Sequence, residues 1–451
     1  MAMFQDAPQR PEQYRKFDRE TPRWFSDAKL GIFVHWGPFS VPAWAEPIGA
    51  SGTMDLAHFF KHNPYAEWYH NTIRVPGSPA AERHRDVHGG APYDDFLDQW
   101  TAKNFDADEF MALVAATGAG YFVPTAKHHD GVTLWDAPGT GKRNTVHRGP
   151  RRDLIGEFSA AARAVGIRFG VYYSGGLDWH FGDSPPIVDE SSFGARPIDR
   201  AYADYAFDHV SDLIARYRPD VLWGDIEWPD AGKPEGPKSL VRLFEAFYAA
   251  TPDGVVNDRW GETHWDFRTS EYQHGRGIEG ASMWENTRGT GYSFGYNQLE
   301  DEGHSLSGPE AIRHFVDVVS RGGNLLLNVG LMEDGTVPAL QRRTLTELAM
   351  WNAANGSSVF GSVPVAGDIA KPGAEPWVRW TRTGEEVHAF ISTTGSAVTL
   401  EVDPARIDAG SARFTGGERA SAQVADLGVI LTMPVNPAAG PVQVTFDLRS
   451  A

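Results

Sequence analysis

Cysteine is absent from the 451 residues. That single absence excludes a disulfide framework, a thiolate metal site and a cysteine nucleophile. Positive charge is in short supply: 41 Lys+Arg against 59 Asp+Glu leave a net charge of −18. Binding that tracks nucleic-acid phosphates depends on Lys and Arg, so no nucleic-acid partner is expected. The chain has no run of 18 apolar residues, so no membrane-spanning helix is expected either. Residues 1–8 lack the apolar core of a secretory signal, which gives the expectation of a soluble, cytoplasmic protein. No internal repeat or low-complexity segment is evident. The chemistry left open is acid–base work on carboxylates and histidines.

The chain is rich in rings, with 15 Trp, 14 Tyr and 25 Phe, and this rules out wholesale disorder. Twelve of the 15 Trp lie at or before Trp284, and 15 of the 16 His precede residue 380. The asymmetry points to a working domain followed by a plainer one. Within the first part, helical patterns alternate with short apolar runs. Asp106 reads as an N-cap for a helix carrying Phe110, Leu113, Val114 and Thr117 at one-face spacing, with Gly118 as its stop. Residues 120–125 follow as a strand. The cycle repeats with helices at about 153–165, 201–217, 239–250, 309–320 and 338–354, and strands at 167–173, 219–225, 254–258 and 324–329. With an early strand at 30–35, this alternation predicts a (β/α)8-like barrel over residues 1–356. Beyond Gly356 the pattern changes to strand-length alternation at 398–402 and 442–448, with a hairpin from 377–381 and 387–391. Residues 357–451 are therefore expected to form a small antiparallel β-sandwich, structural in role because no Trp follows Trp380.

In a parallel barrel the active residues come from the C-terminal ends of the strands. Those positions collect His35-Trp36, Lys127-His128-His129-Asp130, Tyr172-Tyr173, Asp225-Ile-Glu227-Trp228, Asp258-Arg259-Trp260 and Trp284-Glu285. Indole faces, imidazoles and carboxylates together suit a sugar site, where rings stack on the apolar face of a pyranose. Two carboxyl groups can split a glycosidic bond. His128 and His129 resemble a metal pair with Asp130, but neighbours on a strand point to opposite faces, and no HExxH-type spacing exists. No metal or other cofactor is expected. Trp223, Asp225 and Glu227 would share a strand face, so the residue pattern leaves Asp225 and Glu227 as rivals. It also leaves Asp258, Glu262, Asp266, Glu271 and Glu285 open for a second carboxylate.

The chain resembles the α-L-fucosidases of glycoside hydrolase family 29 over nearly its whole length. The resemblance is carried by Lys29-Leu-Gly-Ile-Phe-Val-His-Trp-Gly37, Ala126-Lys-His-His-Asp-Gly131, Gly170-Val-Tyr-Tyr-Ser174, Asp220-Val-Leu-Trp-Gly-Asp225, Val256-Asn-Asp-Arg-Trp260 and Ser320-Arg-Gly-Gly-Asn-Leu-Leu-Leu-Asn-Val-Gly330. It implies a retaining exo-α-L-fucosidase acting on fucosylated oligosaccharides or glycoconjugates, with Asp225 as nucleophile. The Thr269-Ser-Glu271-Tyr272 setting implies Glu271 as acid/base. The resemblance also implies fucose contacts at His35, Glu67, Trp68, His128, His129, Tyr172, Arg259 and Phe294, with Phe294 or Trp68 as a wall for the C5 methyl group. Family members are commonly oligomeric, so a homo-oligomer is compatible with the resemblance. Two positions depart from it: relatives often carry a small residue at Glu227 and a proline at Leu331. The rival readings are a non-catalytic fucose- or carbohydrate-binding protein on the same fold, and a metal-dependent hydrolase that chelation would inactivate.

Overall fold

The computed structural model describes residues 10–49, 54–182, 184–272, 281–434 and 440–449. Eight parallel strands form one curled sheet: β1 (Leu30–His35), β2 (Tyr121–Lys127), β3 (Arg168–Ser174), β4 (Val221–Asp225), β5 (Val255–Val256), β6 (Arg268–Glu271), β7 (Trp284–Gly289) and β8 (Asn324–Gly330). Their order is β5-β4-β3-β2-β1-β8-β7-β6. The main helices are α1 (Ala107–Ala116), α2 (Leu154–Ala164), α3 (Arg200–Tyr217), α4 (Leu240–Ala250), α5 (Gly308–Ser320) and α6 (Ala339–Asn355). Asp106, the cap read from the sequence, accepts from backbone N–H groups in the first turn of α1, and Asp153 and Ser239 do the same for α2 and α4. The (β/α)8-like expectation holds for the architecture.

Alternation along the strands sorts side chains into two cores. Phe33, Val123, Tyr172, Val221, Trp223 and Leu326 fill the inside of the curled sheet. Ile32, Phe122, Tyr173, Leu222 and Leu327 face the helices. Asp225 lies two residues beyond Trp223 on the inward face and so reaches the mouth.

Among the described residues the edge strands β5 and β6 share no ladder and are joined by a few side-chain and backbone bonds around them. The Val256 N–H donates to the Asp266 carboxylate (2.8 Å), and the Asp266 N–H donates to the Val256 carbonyl (2.8 Å). Asp258 accepts from the Thr269 N–H at 3.0 Å. Strand β5 is shorter than the 254–258 expected, because the Asn257 side chain takes up the Gly224 backbone of β4 and the Asp258 side chain takes up Thr269 of β6. Strands β6 and β7 were not legible in the sequence.

After α6 come β9 (Val363–Pro364), β10 (Trp377–Thr383), β11 (Glu386–Ser392), β12 (Ala397–Leu400), β13 (Ile407–Phe414), β14 (Ala422–Ala425), β15 (Gly428–Thr432) and β16 (Val442–Leu448). They form sheets ordered β13-β16-β11-β10-β9 and β12-β15-β14. Val387, Ile391 and Phe446 of the first share a core with Val398, Leu400 and Leu431 of the second, which makes the expected sandwich. Trp377 and Phe390 pack instead into the barrel's outer core. Among the described residues no helix is long and apolar enough to cross a membrane.

Candidate active site

The mouth of the barrel is lined by strand ends and roofed by a mostly aromatic apolar cluster that includes Phe59, Tyr65, Trp68, Trp179, Tyr272 and Phe294, with the aliphatic Ile226 among them. Asp225 closes β4 and is buried. The Tyr172 hydroxyl donates to its Oδ2 (2.7 Å), Arg259 Nη1 donates to its Oδ1 (3.2 Å), and His129 Nε2 stands 4.0 Å from Oδ2. Arg259 Nη2 donates to Glu271 Oε2 at 3.1 Å, so one guanidinium holds both carboxylates. Its Nε donates to Thr269 Oγ1 (3.0 Å), and its face lies 4.7 Å over the Trp223 ring. Burial works against the charge on Arg259, but Glu271, Asp225 and Asp258 outweigh it and raise its pKa above the ordinary arginine value.

The three histidines are held neutral. Burial pushes His35 down to about 4 and His129 down to about 3. His128 is lowered well below the usual value by burial and by its two imidazole neighbours. Their orientations are fixed by neighbouring groups: His35 Nδ1 lies 2.7 Å from Asn328 Oδ1, and His129 Nδ1 lies 2.7 Å from Ser174 Oγ. His128 stacks on Tyr172, with ring centres 5.7 Å apart. Glu67 is buried and accepts from the Gly295 N–H (2.7 Å) and the Ser293 hydroxyl (3.0 Å). Burial still lifts it to about 7. Phe294 packs 5.0 Å from His35, and Trp68 packs 5.4 Å from His129.

All ten residues singled out in the sequence therefore join one connected cluster. Two sequence-based premises need correction. His128 and His129 do not diverge to opposite faces, because β2 ends at Lys127 and the two rings sit 3.9 Å apart in the loop beyond it. Among the described residues no group of three or more His, Asp or Glu is arranged to hold a metal ion. Nor does Glu227 share the inward face with Asp225. The backbone turns left-handed at Ile226 and Glu227, and the Glu227 carboxylate runs to Arg196 and Lys233 at the rim.

The other candidate carboxylates are engaged elsewhere. Asp258 and Asp266 bridge the sheet edges and Glu262 is exposed, while Trp284 and Glu285 open β7 instead of closing a strand, which puts Glu285 deep in the barrel accepting from Tyr121 and Trp223. Tyr173 faces outward to His209. Sequence reasoning missed Tyr65, whose hydroxyl donates to Glu271 Oε1 (3.1 Å) from the long connection between β1 and β2. It also passed over Asn328 and Ser174, although both lie inside motifs already noted.

A family model described as alpha-L-fucosidase matches residues 2–357. An alpha-L-fucosidase of Dictyostelium discoideum is 30% identical over 382 residues, covering 83% of this chain and 78% of that protein. The tissue alpha-L-fucosidase of Homo sapiens is 29% identical over 445 residues, covering 96% and 89%. The structure of a Thermotoga maritima alpha-fucosidase in complex with fucose superposes with a TM-score of 0.84 at 40% identity, covering 95% of this chain and 97% of that one.

Proposed function

The chain belongs to the alpha-L-fucosidase family of glycoside hydrolases, and on that premise we propose that it removes terminal α-L-fucose with retention of configuration, through a covalent fucosyl-enzyme on Asp225. The observation that carries this reading is the Arg259 fork, which sets Asp225 and Glu271 on adjacent nitrogens of one guanidinium. A retaining pair stands about 5–5.5 Å apart, with no room for a water between nucleophile and sugar.

In the first step the Asp225 carboxylate attacks the anomeric carbon while protonated Glu271 gives its proton to the departing glycosidic oxygen. The Tyr172 hydroxyl and Arg259 keep the attacking oxygens aimed, and Arg259 follows the charge as it leaves Asp225. In the second step Glu271, now a carboxylate, takes a proton from water, which attacks the same carbon and frees Asp225. Neutral His35, His128 and His129 offer N–H groups and lone pairs to sugar hydroxyls at no electrostatic cost to the nucleophile. Phe294 and Trp68 supply apolar walls suited to a methylated sugar.

The test is hydrolysis of an aryl α-L-fucoside by the wild type, Asp225→Gly and Glu271→Ala, with and without azide. Azide should rescue Asp225→Gly and give β-fucosyl azide, whereas rescue of Glu271→Ala should give the α product. Exchanged products would mean exchanged roles, and an Asp225→Gly variant with full rate would end the proposal.

A further inference from the structure

β4 ends at Asp225, and the next two residues occupy the left-handed region, Ile226 at φ 57° and Glu227 at φ 67°. Neither has glycine's freedom there, and a β-branched residue in that conformation has to be held by its surroundings. Three sets of contacts hold it. The Asp225 carbonyl accepts from the N–H groups of Gly175 (3.0 Å) and Gly176 (3.3 Å). A Cβ on Gly176 would lie 1.6 Å from the Ile226 carbonyl oxygen, so only glycine lets the loop after β3 come this close. The Glu227 N–H donates to the Arg259 carbonyl (3.0 Å). Finally, Glu227 Oε2 accepts from both Arg196 Nη2 and Lys233 Nζ, each at 2.9 Å, while Arg196 Nη1 donates to the Ile226 carbonyl at 3.4 Å. The turn thereby ties the strand bearing Asp225 to the backbone of the arginine that spans Asp225 and Glu271.

We propose that Glu227 is a positioning residue: its ion pairs with Arg196 and Lys233 clamp the left-handed turn that fixes where the Asp225 carboxylate stands. The proposal rests on the reading of Asp225 as nucleophile. It assigns Glu227 no contact with the reacting atoms, since its carboxylate is directed to the two cations at the rim.

The test compares Glu227→Gln with Glu227→Gly, each made in the wild type and in Asp225→Gly rescued by azide. Gln keeps the left-handed cost but loses the ion pairs. Gly also loses them, yet takes the required φ freely. With an aryl α-L-fucoside, Gln should lower kcat about tenfold or more with KM nearly unchanged, because a misplaced nucleophile costs rate before it costs binding. Gly should recover most of that rate. Under azide rescue, where a diffusing anion replaces the Asp225 carboxylate, Gln should change the rate by less than about twofold, as expected when the group it acts through is gone.

Full activity in Glu227→Gln, equal impairment in Gln and Gly, or an undiminished defect under rescue would each overturn the clamp. Failure of azide to rescue Asp225→Gly itself would count against the nucleophile assignment. The Gln–Gly contrast in the wild type would then still decide whether the turn needs its ion pairs.

Discussion

Arg259 is buried among charges that it both needs and serves. Its guanidinium uses Nη1 for Asp225, Nη2 for Glu271 and Nε for Thr269, and rests on the Trp223 face. A lysine carries the same charge as a point and cannot span two carboxylates in one plane. Arg259→Lys should therefore lower kcat/KM on an aryl fucoside by on the order of 10²–10³, the scale of losing a preorganised electrostatic contact. A loss below tenfold would show that the fork is not what organises the pair. The residue types at the strand ends were legible in the sequence because polar groups at those positions have few other uses. What the sequence left undivided was the role of each carboxylate. Glu227 and Asp225 sit two apart and look equivalent until the backbone turns left-handed between them.

Among the elements, β4 and β5 share only two ladder pairs, Val221 with Val255 and Leu222 with Val256. Beyond them the Asn257 side chain takes over the ladder: its Oδ1 accepts from the Gly224 N–H (2.8 Å) and the Trp260 indole (2.9 Å), and its Nδ2 donates to the Gly224 carbonyl (2.9 Å). Asn257→Ala would strand three buried polar groups beside Asp225. At about 1–3 kcal/mol for each unsatisfied group, a total loss of about 3 kcal/mol or more is expected, read as a lower urea midpoint of unfolding together with reduced activity. An unchanged midpoint would contradict this account of how β5 is held. The helices and the apolar strands were readable from caps and periodicity. Strands β6 and β7 were not, because Arg268–Glu271 and Trp284–Gly289 carry mostly polar side chains, most of them buried in the curled sheet. A polar strand inside a barrel has no apolar run to announce it.

For the whole molecule, buried titratable groups set opposing trends with pH. Burial holds Glu285 at about 7 and Glu67 at about 7, against an ordinary value of 4.5. Between those values the fold keeps protons that the unfolded chain has lost, so these two groups contribute less stability as pH rises from about 4.5 to about 7. His35, depressed to about 4, and His129, depressed to about 3, act the other way. The unfolded chain takes up their protons first, so their contribution falls as pH drops below about 6.5. Glu285→Gln deletes one alkaline-side contribution. Its thermal midpoint should therefore gain on the wild type as pH is raised from about 4.5 toward 7, and a difference constant across that range would refute the assignment. Periodicity, caps and motifs are local properties, so the domain order, the chemistry available without cysteine and most of the strand-end residues could be read along the chain, Trp284 and Glu285 excepted because they open β7. Folding settled which carboxylates face one another, which strands are polar and which histidines stay neutral. Those outcomes depend on burial and on the meeting of segments far apart in the chain, as when Arg259, Asp225, Glu271 and Tyr65 come together at one mouth.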